Sequence, residues 1–246
     1  PGSYARFRRG VGLLLDRKVP FVVKSVLLRQ NRGEVDEFES WAKTIPGMTA
    51  PPSYSIFLDL RGRRDNTRKN SLIRSLRLPP AETLAFLTRI PETYRRTADE
   101  FAARFMGPSG DVLFGCGAGR SISIDAYGCV QPCMGVRSPE LTIDLDAGAY
   151  PARGKVMLSE ALDRFQGLRA ICATNPRYLS RCAKCFLKGF CEQCPAKSWS
   201  EHGTLDSPVE YLCEATHVQA RYLGWLEENE YGWERECRRG GGNGGR

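Results

Sequence analysis

The sequence predicts a mixed α/β chain in two unlike parts, and three observations carry that expectation. Strand-like apolar runs alternate with amphipathic helix-like segments over residues 1–112. All ten cysteines lie beyond residue 112, most of them at paired spacings. With 246 residues and 41% apolar content, the chain can bury an ordinary core without a disulfide scaffold.

The elements follow in order. Arg6–Lys18 reads as a helix, with Leu13, Leu14 and Leu15 grouped and Pro20 as a stop. Pro20–Leu28 (PFVVKSVLL) is nearly continuously apolar, the pattern of a strand buried on both faces. Asn31–Gly33 turns, Glu34–Thr44 returns as a helix, and Ser53–Leu60 (SYSIFLDL) is a second strand. Helices over Pro80–Arg89 and Glu92–Phe105 come next, set off by prolines. This alternation implies a parallel sheet, open or part of a barrel.

Beyond residue 112, Arg120–Asp125 (RSISID) alternates as a strand, Tyr127-Gly128 turns, and Cys129–Cys133 returns. Ser159–Phe165 and Asn175–Ser180 read as short helices and Cys182–Cys194 as a compact loop. Glu210–Trp225 reads as a longer helix between Pro208 and Gly224. The tail Arg238–Arg246 (RRGGGNGGR) is too rich in glycine to order itself.

Cysteine spacing carries the chemistry. Cys182, Cys185, Cys191 and Cys194 form two C-x-x-C hooks (C-A-K-C-F-L-K-G-F-C-E-Q-C), and Cys213 follows on the last helix. Thiolate is a soft ligand that selects zinc or iron–sulfur. A zinc ribbon sets its hooks roughly 15–20 residues apart. The much shorter spacer here favours sulfurs divided between neighbouring clusters, as in two-cluster ferredoxins. A zinc-binding structural or interaction module without catalysis is the competing reading. Neither a secretory h-region nor an apolar run of membrane-spanning length is present, so the thiols are expected to be reduced, in the cytoplasm.

These cysteines also carry a resemblance. Cys116, then Gly128 and Cys133 (C-G-A-G…G-C-V-Q-P-C), then C-x2-C-x5-C and the late Cys213 resemble the seven-cysteine SPASM extension of radical S-adenosylmethionine enzymes. The segment C-P-A-K-S-W-S-E-H-G-T-L-D has the same flavour. The resemblance implies the C-terminal part of a partial (β/α) TIM-like barrel over residues 1–112. A SPASM-type domain of a β-hairpin plus helices would follow over 113–224, then a C-terminal extension over 225–246.

It further implies two auxiliary 4Fe–4S clusters, with Cys182, Cys185, Cys191 and Cys213 on the distal one. Cys116, Cys133 and Cys194 would hold the one nearer the barrel. Its fourth ligand stays open between Cys129, Cys172 and an exposed iron site. Even spacing from Cys133 would put Cys129 on the same strand face. Two residues, Glu192 and Gln193, separate the last paired cysteines where the family commonly has three.

The C-x3-C-x2-C loop that holds the S-adenosylmethionine cluster is missing: Cys129 and Cys133 begin one, but position 136 is Val136. The chain therefore resembles the C-terminal portion of a longer enzyme, and S-adenosylmethionine belongs only to such a full-length parent. An unpaired half-barrel edge points the same way. The implied task is electron transfer or substrate placement during peptide modification, with a peptide substrate and a redox-protein donor as partners. Met134 stands where sulfatase-maturing relatives carry an aspartate, which argues against formylglycine formation.

The formal charge is +8, and two clusters of about −2 each would bring it to about +4, so the basic count is no argument for nucleic acid. The densest basic run, Arg61–Lys69, has no interleaved aromatics and reads as a solvated loop and helix face. His217, four residues after Cys213, shares its helix face and is expected in an outer shell. His202 is expected in a turn. Asn31, Asp59 and Arg61 would lie at the strand ends, near the mouth where barrels place their sites, and Lys24 and Ser25 interrupt an apolar strand.

Overall fold

The computed structural model describes residues 2–48, 50–60, 67–144 and 155–235. The chain is mixed α/β, about half helical, with two small sheets. Helix α1 (Ser3–Asp16) comes first and has no buried residue. Strand β1 (Lys24–Val26), helix α2 (Val35–Lys43) and strand β2 (Ser53–Ser55) then make a β–α–β unit. The strands pair in parallel, Lys24 opposite Ser53 and Val26 opposite Ser55. Leu27, Val35, Ile56 and Leu78 form the core of this unit.

The apolar run Pro20–Leu28 is therefore strand for only three residues, and it is not buried on both faces. Val22 and Val26 remain 52% and 39% exposed. Among the described residues β1 pairs only with β2, and no layer covers the face carrying Val22 and Val26, so those side chains stay in water.

Helices α3 (Thr67–Leu76), α4 (Pro80–Leu87) and α5 (Pro91–Phe105) follow. Proline opens α4 and α5, where its missing N–H would have had no intrahelical partner. The sequence pattern does not predict α3, whose apolar positions are few among Arg68, Lys69, Asn70 and Arg74. The rest of the basic run, Arg61 included, lies outside the described residues.

The second sheet is antiparallel in the order β3 (Ser123–Ile124), β4 (Cys129–Gln131), β5 (Ile143–Asp144). Asp125 closes the β3–β4 hairpin. Its Oδ1 accepts the backbone N–H of Tyr127 at 2.9 Å and of Cys129 at 3.1 Å. Its Oδ2 accepts from Arg137 at 3.0 Å. These bonds, that from Tyr127 first, hold the Asp125 carboxyl below its usual range. Helix α6 (Lys155–Gln166) brings Phe165 against Phe114, Val130 and Val136. Each such burial contributes about 1.5–3 kcal/mol.

Helices α7 (Pro195–His202) and α8 (Glu210–Leu223) complete the regular structure among the described residues. His202 is thus the last residue of α7 rather than part of a turn, and Gly203 caps it. The two halves pack on one another. Tyr94 and Ala98 of α5 meet Phe190 and Leu223, and the Tyr94 hydroxyl donates to Gln219 at 2.9 Å. Arg77 pairs with Glu201 at 2.5 Å, their side chains only 10% and 9% exposed. The Tyr211 hydroxyl donates to the Ile56 carbonyl at 2.9 Å. The glycine-rich tail Arg238–Arg246 lies outside the described residues. Among the described residues, no helix is long and apolar enough to cross a membrane.

Candidate metal centre

Two segments distant in sequence build the site. A π-helical turn, Tyr178–Cys182, delivers Cys182, and successive turns deliver Cys185 and Cys191. Gly189, inside this loop, has φ +97°, and a Cβ there would stand 1.9 Å from the Phe105 carbonyl oxygen. Only glycine lets the loop press so closely on the end of α5. The first turn of α8 supplies Cys213.

Cys182, Cys185, Cys191 and Cys213 line one cavity, walled also by Tyr178, Leu187, His217 and Trp233. The cavity is small, about 30 Å³. Burial pushes the Cys182 and Cys185 thiols up to about 12 and that of Cys213 up to about 11. Cys191 is raised for the same reason. Thiols in this state hold their protons at neutral pH, and a cation must displace them.

Around Cys213 the chain sets donors. Arg181 Nη2 donates to Cys213 Sγ at 3.4 Å. The same guanidinium grips Glu210 through two bonds, of 2.9 and 3.0 Å, and lies 4.5 Å from the centre of the Trp233 ring. Arg181 Nε is buried and has no acceptor among the described residues. An orphan donor of this kind costs about 1–3 kcal/mol, which an acceptor placed beside it would offset.

His217 is held in one tautomer. Its Nε2 accepts the backbone N–H of Gly232 at 3.0 Å, so that nitrogen carries no proton. Its Nδ1 faces the Cys213 carbonyl at 2.7 Å and must therefore be the protonated one. Burial lowers the imidazole pKa, in keeping with a neutral ring. With both nitrogens engaged, His217 stands behind Cys213, its Nδ1 also 3.6 Å from the Cys213 sulfur, rather than as a ligand.

Tyr231–Trp233 strap the site from outside. Besides its bond to His217, Gly232 accepts the Phe186 N–H at 3.1 Å. A Cβ on Gly232 would lie 2.6 Å from Cys185 Sγ. The strap and Arg181 had no motif to reveal them in the sequence. The only signals were an aromatic pair, Tyr231 and Trp233, ahead of the glycine tail and an arginine preceding a hook cysteine.

The other cysteines group less tightly. Cys194 stands at the N-cap of α7 and is raised chiefly by burial, with Cys133 near enough to add to the effect. Cys133 packs against the Phe114–Phe165 core. Cys116 is exposed, in a loop tied to the Pro132 carbonyl by the Gly119 N–H at 3.3 Å. Cys129 starts β4 opposite Asp144, but β4 ends at Gln131. Cys133 lies beyond the strand, so strand periodicity does not relate the facing of the two sulfurs. Cys172 is exposed and bridged to Val112. Among the described residues, no three or more His, Cys, Asp or Glu are grouped to hold a single metal ion.

The residues expected at a barrel mouth have local roles. Asn31 caps its own turn, accepting the Leu28 N–H at 2.8 Å and donating to the Val26 carbonyl at 2.9 Å. Asp59 pairs with Lys197 at 3.5 Å. Lys24 is exposed, while Ser25 and Asn31 line a separate groove beneath α1. No protein-family model matches the chain, and a search of curated proteins found no match.

Proposed function

We propose that this chain is the iron–sulfur-binding C-terminal portion of a radical S-adenosylmethionine enzyme of the SPASM type, acting in the cytoplasm on a peptide. One observation supports this reading most. Cys182, Cys185, Cys191 and Cys213, a single ligand set by resemblance, come from two segments and line one buried cavity. Cys194, the remaining hook cysteine, lies instead toward Cys133. The donor chemistry fits a thiolate-bound cluster: four soft ligands, flanking N–H donors at Cys213, and a buried guanidinium nitrogen with capacity to spare.

Cys182, Cys185, Cys191 and Cys213 would hold the distal cluster; Cys133, Cys194 and Cys116 would contribute to the nearer one. A bound cluster supplies a one-electron couple or an iron site for substrate. The chain's own part is to exclude water through Leu187, Trp233 and the strap and to orient Cys213 through Arg181 and His217. A redox protein would be the electron donor, and S-adenosylmethionine would bind only a full-length parent.

Iron, sulfide and zinc analysis of anaerobically purified protein tests the proposal. About eight irons per chain with matching sulfide are expected for two four-iron clusters. Zinc alone, at about one per chain, would replace this reading with a structural zinc module.

A further inference from the structure

Arg181 is a cation in direct contact with one thiol of the four-cysteine cavity, and orienting Cys213 makes no use of its charge. Its Nη2 donates to Cys213 Sγ at 3.4 Å. The guanidinium has few other positions open to it. Glu210 holds it through two parallel bonds, and the Trp233 ring covers one face at 4.5 Å. Planar fixing of this kind is what arginine offers and lysine does not. The side chain is only 20% exposed, so water screens its charge weakly.

We infer, resting on the cluster reading above, that Arg181 is a positioning residue that sets the reduction potential of the distal cluster, with Glu210 as its opposing counter-charge. Reduction adds one electron and hence one negative charge to a cluster. A fixed N–H donor and a positive charge beside a ligating sulfur stabilise the reduced form more than the oxidised one. Removing them lowers the potential. Neutralising Glu210 leaves the arginine charge less compensated and raises it.

The test is a potentiometric titration of the anaerobically loaded protein, with dithionite as electron source. It follows the cluster that Cys185→Ala abolishes. Arg181→Gln is expected to disfavour reduction about tenfold, a downward shift of about 59 mV for a one-electron couple. Arg181→Lys, which keeps the charge but not the fork, should fall between Gln and wild type. Glu210→Gln should shift the potential upward.

These opposite signs separate tuning from a structural role, because a loosened, wetter site would move Arg181→Gln and Glu210→Gln the same way. Intact cluster content with an unchanged potential in both variants, or shifts of one sign, overturns the inference. Wild-type protein that takes up no iron–sulfur cluster overturns the cluster reading itself. If Arg181→Gln fails to fold, the Lys and Glu210 variants still decide the sign.

Discussion

Replacing Gly232 with alanine should damage the candidate centre from outside its ligand set. Gly232 sits at an ordinary backbone angle, so alanine suffers no left-handed strain, and the cost is steric. An added Cβ meets Cys185 Sγ at 2.6 Å and Leu187 Cδ1 and Cγ at 3.2 and 3.3 Å. Carbon atoms in good contact stand about 3.5–4.0 Å apart, so the strap or Cys185 must move by about 1 Å. Overpacking on this scale costs about 1–3 kcal/mol. Lifting the strap instead breaks the two backbone bonds of Gly232, each worth about 1 kcal/mol, so the two routes cost similar amounts.

Urea unfolding of the reduced, metal-free protein, followed by tryptophan fluorescence, would measure the loss. The decisive comparison is a double-mutant cycle with Cys185→Ala, which removes the obstructing sulfur. The alanine penalty should then shrink by at least about 0.5 kcal/mol, because only the flexible Leu187 side chain remains in the way. A Gly232→Ala protein within about 0.3 kcal/mol of wild type would refute the reasoning, as would an equal penalty in both backgrounds.

Two further outcomes follow from buried charges and thiols. Glu201→Ala should cost about 3–5 kcal/mol in urea unfolding, because among the described residues it leaves the buried Arg77 side chain only the Leu58 carbonyl to bond. Arg74→Ala, at the exposed end of the same network, should cost under about 1 kcal/mol. The folded metal-free protein holds Cys182 and Cys185 thiols at about 12 against an ordinary 9.0, chiefly through burial. Above pH 9 the unfolded chain loses these protons first, so stability should fall as pH rises from about 9 toward 12. A denaturation midpoint that stays level across that range would count against buried thiols.

Much of the fold could be read from the sequence because its helices carry strong local signals. Pro80 and Pro91 mark the starts of α4 and α5, and α8 ends at Gly224 close to the expected point. Strand lengths were less legible. PFVVKSVLL has the composition of a central strand, yet its extent depends on how many strands flank it, and β2 is its only partner among the described residues. Helix α7 escapes pattern reading because Ser198, Ser200 and His202 blur its apolar face, although Pro195 and Gly203 bracket it.

At the candidate site, cysteine spacing made the grouping of thiols visible only as a chemical pattern; the cavity shared by Cys182, Cys185, Cys191 and Cys213 is a tertiary fact. Arg181, Glu210 and Trp233 could not be picked out beforehand. Their contact depends on three segments meeting, and no spacing rule encodes that. The even spacing of Cys129 and Cys133 says little about shared facing for a related reason, since period two holds only while the strand lasts and β4 ends at Gln131.

On the proposed function, the thiols fall into two separate ligand groups, divided between Cys191 and Cys194. Iron content of anaerobically reconstituted Cys185→Ala, Cys194→Ala and the double variant tests it most directly. Each single substitution should remove about four irons, and the double variant should lose nearly all. If the double variant retains as much iron as either single one, both cysteines serve one centre and the division is wrong.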